Sequence, residues 1–90
     1  SREAFIIPNE NNGISIIKSS CWLKELDYTS EGLQYISGTD GEQIIMWDKK
    51  NGQPHCKESA DISIVINENR LFYHLTVKVN KPQTTVVINK

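Results

Sequence analysis

Between positions 61 and 79 apolar side chains recur at every second residue. Ile62, Ile64 and Ile66 alternate with Ser63 and Val65. Leu71, Tyr73, Leu75, Val77 and Val79 alternate with Phe72, His74, Thr76 and Lys78. Successive side chains of a strand point to opposite faces, so a period of two predicts strands with one apolar face. Asn67-Glu68-Asn69-Arg70 separates the runs and predicts the turn of a hairpin. Ile62, Ile64 and Ile66, with Leu71, Tyr73, Leu75 and Val77, are expected to face the core.

The rest of the chain reads the same way. Residues 14–18 and 84–89 are short, branched and strand-like. Residues 33–37 and 42–48 flank Gly38-Thr39-Asp40-Gly41, a short polar connector with glycine at both ends that predicts a second hairpin. Residues 49–55 contain Asn51-Gly52 and Pro54 and read as a turn or a poor edge strand. Residues 20–28 fit a strand, through the alternation of Cys21 and Leu23 with Trp22 and Lys24. They also fit a helix, through Trp22, Leu23 and Leu26; strand is chosen because the neighbours are strand-like. Ala4-Phe5-Ile6-Ile7 is a short apolar run ended by Pro8, with a loop at 9–13. Short strands with turns every 8–12 residues point to an all-β fold, a small antiparallel sandwich or barrel.

Ninety residues make one domain with a thin core. The chain opens at Ser1 without methionine and has no apolar run near 18 residues, so it is expected to be a mature or excised product with no membrane helix. Two cysteines permit one bridge, and a Cys21–Cys56 disulfide in a small secreted domain would stabilise by roughly 3–4 kcal/mol. Two unpaired cysteines are the alternative. No Asn-x-Ser/Thr acceptor occurs.

Net charge is −1, but its distribution is uneven. From Glu25 to Asp48 come Glu25, Asp27, Glu31, Asp40, Glu42 and Asp48, with no lysine or arginine. An acidic stretch disfavours nucleic acid and suits a basic protein surface, or is simply a solvated face. His55-Cys56 lacks the further ligands a zinc site needs, and adjacent strand residues point apart, which argues against a Cys–His nucleophile pair. His74 falls on the polar face of its strand. Asp27, Glu31, Asp40 and Glu42 have no fixed separation that would make a glycosidase pair. No catalytic, metal or cofactor site is assigned. Trp22 is expected in the core, and Trp47 is balanced between core and exposed anchor.

The chain resembles the MAX effectors, secreted proteins of plant-pathogenic fungi. The resemblance rests on Cys21 within Ser20-Cys21-Trp22-Leu23-Lys24, on two strands at Leu33-Gln34-Tyr35-Ile36 and Gln43-Ile44-Ile45-Met46, and on Cys56 before the closing hairpin. It implies two three-stranded antiparallel sheets tied by one disulfide, with a core at 20–79 and extensions at 1–19 and 80–90. It also implies a monomeric, non-enzymatic secreted protein, able to enter a host cell, that binds a host protein such as a heavy-metal-associated domain. Binding would pair an edge strand with the partner's sheet. The carried-over surface is Leu33, Gln34, Tyr35, Ile36 and Ser37, with Glu31, Asp40, Glu42 and Trp47 around it. A secreted or periplasmic inhibitor of an extracellular enzyme such as lysozyme is the alternative. Membrane and nucleic acid are not expected as partners.

Overall fold

The computed structural model describes residues 13–90. The Ala4-Phe5-Ile6-Ile7 run and all but the end of the loop at 9–13 lie outside the described residues. Eight strands form among those described: β1 (Ile14–Ser19), β2 (Leu23–Thr29), β3 (Gly32–Ser37), β4 (Gly41–Asp48), β5 (His55–Cys56), β6 (Ile62–Glu68), β7 (Phe72–Val79) and β8 (Thr84–Asn89). A 3₁₀ turn, Lys49–Asn51, follows β4. The strands make two antiparallel sheets of four, ordered β1-β4-β7-β6 and β2-β3-β8-β5. The fold is an all-β sandwich, with four strands per sheet where three were expected.

The alternating segment forms the β6–β7 hairpin, in register from Ile62 opposite Val79 to Glu68 opposite Tyr73. Its turn falls later than the sequence suggests. The Asn69 side-chain oxygen accepts from the backbone N–H groups of Leu71 (2.9 Å) and Phe72 (2.8 Å), so Asn67 and Glu68 stay in β6. Leu71 therefore sits in the turn and is 65% exposed. Leu75 and Val77 are fully buried, and Ile62 nearly so. Ile64 and Tyr73 pack partly buried against the core. Ile66 points to the inner face but remains 43% exposed.

The core joins Ile14, Ile16, Ile45, Trp47, Leu75, Val77 and Val79 of the first sheet to Leu33, Tyr35, Val86 and Ile88 of the second. Two segments expected as extensions thus contribute to it: β1 supplies Ile14 and Ile16, and β8 lies inside the second sheet. β8 approaches β3 so closely at Gly32 (φ 146°) that a Cβ there would lie 2.1 Å from the Ile88 carbonyl oxygen.

Three expectations are corrected. Gly38–Gly41 is not a hairpin: β3 pairs with β2 and β8, whereas β4 pairs with β1 and β7, so the connector crosses between sheets. Residues 20–22 make a second crossing, and only from Leu23 does that segment become strand, with a bulge between Lys24 and Asp27 where Glu25 takes φ 50°. The third correction is Trp22, which lies outside the core that Trp47 enters. Trp47, on the inner face of β4 with Gln43 and Ile45, is fully buried, and its Nε1 donates to the Gly52 carbonyl at 3.0 Å. Trp22, in the crossing, is 55% exposed.

These burials order the cost of truncation. Leu75→Ala is expected to lower stability by about 2–5 kcal/mol, and Ile66→Ala by under about 1 kcal/mol, in urea unfolding at equal slope. Equal losses at both positions would contradict the burial described.

Candidate functional site

The sandwich is open along one flank. β5 has two residues and pairs only with Asn89 and Ile88, while β6, the corresponding edge of the other sheet, has seven. The shorter layer leaves a cleft of about 560 Å³, lined on one side by Ile64, Ile66, Leu75 and Val87 and on the other by Pro54, Cys56, Asn89 and the exposed His55, Lys57 and Glu58. Ile66 is uncovered for this reason.

Among the described residues, β6 is also an unguarded edge. Proteins blunt sheet edges with charges, prolines, bulges or short strands. β1 has a bulge between Ile16 and Lys18. β2 has its own bulge and carries Lys24, Glu25 and Asp27. β5 is short. β6 has none of these from Ile62 to Asn67, its register with β7 is unbroken, and Val65 on its outer face is 59% exposed. The Asp61 carbonyl accepts from the Asn80 N–H at 2.9 Å, toward β7. Alternation along an antiparallel ladder then aims the N–H and C=O of Ile62, Ile64, Ile66 and Glu68 away from β7. Ile62 uses both with Ser59, at 3.3 and 3.2 Å. Ile64 and Ile66 have no strand partner among the described residues.

The two cysteines are not bonded. The Cys21 sulfur lies 3.2 Å from the Ser37 hydroxyl, at the end of β3 where Ser37 faces Thr84. Cys56 pairs with Ile88, which faces Leu33 near the other end. Four strand residues separate these levels, about 13 Å, and a bridge needs Cα atoms within about 7 Å. Burial and then the Glu58 carboxylate push the Cys56 thiol above its ordinary value. Burial would also raise Cys21, but hydrogen bonding to Ser37, Thr39 and Ser19 outweighs it and holds that thiol below its ordinary value.

The expected binding surface is not brought together. β3 is paired on both sides, so residues 33–37 are no edge. Leu33, Tyr35 and Ser37 are buried, Ile36 is half-buried, and only Gln34 is exposed. Trp47 is in the core. Glu31 precedes and Asp40 follows the six-residue β3, whose ends are about 20 Å apart. Glu42 stands on the outer face of β4 opposite Lys78. Asp48 caps the 3₁₀ turn by accepting from the Lys50 N–H at 2.9 Å. Acids contiguous in sequence are therefore dispersed in space.

Inside, Tyr35 donates its phenolic hydrogen to Gln43 Oε1 at 2.9 Å, across the two sheets. Gln43 Nε2 reaches Ser19 Oγ at 3.5 Å and the Cys21 sulfur at 3.6 Å. Burial, with smaller contributions from Cys56 and Cys21, raises the Tyr35 phenol far above its ordinary value. Among the described residues, no three His, Cys, Asp or Glu side chains are grouped to hold a metal ion, and no helix is long and apolar enough to cross a membrane. What the flank offers a ligand is apolar surface and outward-pointing backbone groups. Compared with known proteins, the chain matches no family model, no curated protein and no solved structure.

In native protein purified without reductant, Cys56 should react with a thiol reagent first and Cys21 slowly, and both should react on unfolding. Absence of free thiol in the unfolded, unreduced chain would restore the bridge. The Tyr35 contribution to stability should be complete below about pH 10 and fall above it, because the unfolded phenol ionises there and the folded one does not. Tyr35→Phe should flatten that fall in urea midpoints measured across the alkaline range.

Proposed function

We propose that this chain is a non-enzymatic protein-binding domain that takes an extended segment of a partner along its open flank. One observation carries the reading: a seven-residue edge strand, uncharged from Ile62 to Asn67, stands over a cleft with an apolar wall that the opposite sheet is too short to close. An added strand would hydrogen-bond to Ile64 and Ile66 and lay alternate side chains over the cleft. Backbone pairing would supply affinity, and the pocket between Ile66, Leu75 and Cys56 would supply specificity.

In the secreted-effector reading suggested by the MAX resemblance, the partner is a host protein met outside or inside the host cell. The pairing strand is then β6 in place of 33–37. Charge steering would be weak, since the acids face several directions.

The test is a titration of a short extended peptide, alternating valine and threonine with lysine at both ends, followed by amide shifts. The shifts should centre on Ile64, Ile66 and Val87. Ile66→Pro removes an outward-facing donor without touching the β7 ladder, and should reduce affinity at least about tenfold. Shifts confined to β1 or β2, or binding unchanged in Ile66→Pro, would overturn the proposal.

A further inference from the structure

We propose that the strand added at β6 is the β6 of a second copy of this chain, antiparallel, with Val65 opposite Val65. The inference rests on the flank being a docking edge and names its partner. A two-fold contact requires a surface complementary to itself, because each residue meets the one equally far from the axis on the other copy. β6 meets that requirement. About Val65, Ile64 faces Ile66 and Ile66 faces Ile64 on the inner side, while Ser63 faces Asn67 on the outer side. Apolar residues meet apolar ones and polar residues meet polar ones. The pairing ends before Ile62, whose outward backbone groups are taken by Ser59, and before Glu68, whose carboxylate is held by Lys49 at 2.5 Å.

The backbone selects the same register. Ile64 and Ile66 both aim their N–H and C=O outward, so each Ile64–Ile66 pair exchanges two hydrogen bonds. A slip of one residue would set outward groups against groups already committed to β7, and would oppose inner to outer side chains. Centring on Ile64 would call on Ile62, whose backbone is occupied by Ser59. Centring on Ile66 would lay Glu68 against Ile64.

Electrostatics permits the contact. Residues 62–67 carry no charge, so no like charges are apposed, and a net charge of −1 per copy gives little long-range repulsion. On the outer face Val65 lies beside Thr76, which lies beside Ile44. A Val65–Val65 pair would extend this row of branched side chains. It would also cover side chains that are 59% (Val65) and 43% (Ile66) exposed in the single chain. The product is a continuous eight-stranded sheet, replacing the monomer expected from sequence.

Sedimentation equilibrium from micromolar to millimolar concentration tests this. The native chain should dimerise, with amides of Ile64 and Ile66 slowing in exchange as dimer forms. Val65→Lys and Val65→Glu should each weaken self-association at least about tenfold, since like charges would be directly opposed. Mixing the two variants should restore a heterodimer, because position 65 meets itself. Ile17→Lys, a charge at another exposed apolar residue, should leave association intact and controls for net charge. A native chain that stays monomeric while the valine-threonine peptide still shifts Ile64 and Ile66 would overturn the self-pairing and leave the docking reading standing. A dimer unaffected by both charged variants would overturn it as well.

Discussion

The hydrogen bond between Tyr35 and Gln43 crosses a core in which the buried faces of the two sheets meet mainly through non-directional apolar contact. Apolar packing tolerates sliding, whereas a buried amide and a buried phenol do not, because each must be satisfied or cost about 1–3 kcal/mol. The bond therefore sets how the sheets lie against one another. It belongs to a larger polar cluster at the end where the chain twice changes sheet. Ser19 precedes the first crossing and Ser37 the second, and both hydroxyls contact the Cys21 sulfur, at 4.0 and 3.2 Å. Ser37 also donates to the Thr39 carbonyl at 2.7 Å, which turns the second crossing. The clustering is close enough that a Cβ on Gly41 would lie 2.8 Å from Ser20 Oγ and 3.0 Å from the Cys21 sulfur. Hydrogen bonds at this corner do the tethering that a Cys21–Cys56 bridge was expected to do.

Closure at that corner contrasts with the flank. Where β1 and β2 border the sandwich, Ile16 donates its N–H to the Tyr28 hydroxyl at 3.3 Å, linking the two sheets. On the other side the second sheet stops at a two-residue strand. A layer that ends early leaves the inner face of its opposite number without cover, and this is what exposes Ile66 despite its correct orientation. The binding surface is thus a consequence of unequal layer lengths, made from side chains that elsewhere would be core.

Some of this was legible from residues alone. The hairpin at 61–79, the strands at 14–18, 33–37, 42–48 and 84–89, and the all-β class follow from a period of two and from branched side chains, which act locally. The candidate surface did not emerge because edge or interior is a property of pairing. Residues 33–37 have the composition of either; β8, some fifty residues later, pairs beside them and makes them interior. Alternation in the run Ile62–Asn67 places Ile62, Ile64 and Ile66 on the core face, but the lack of charge on either face, which marks an unguarded edge, carries no such local signal.

The sequence by itself determined strand identity and which side chains share a face, because alternation follows from the geometry of an extended backbone. Only the tertiary structure decided sheet order, the crossing at 38–41, the separation of the cysteines and the scatter of the acids. Each of these depends on pairings between residues far apart in the chain. Such pairings are chosen by the fit of whole layers, and no local pattern records them.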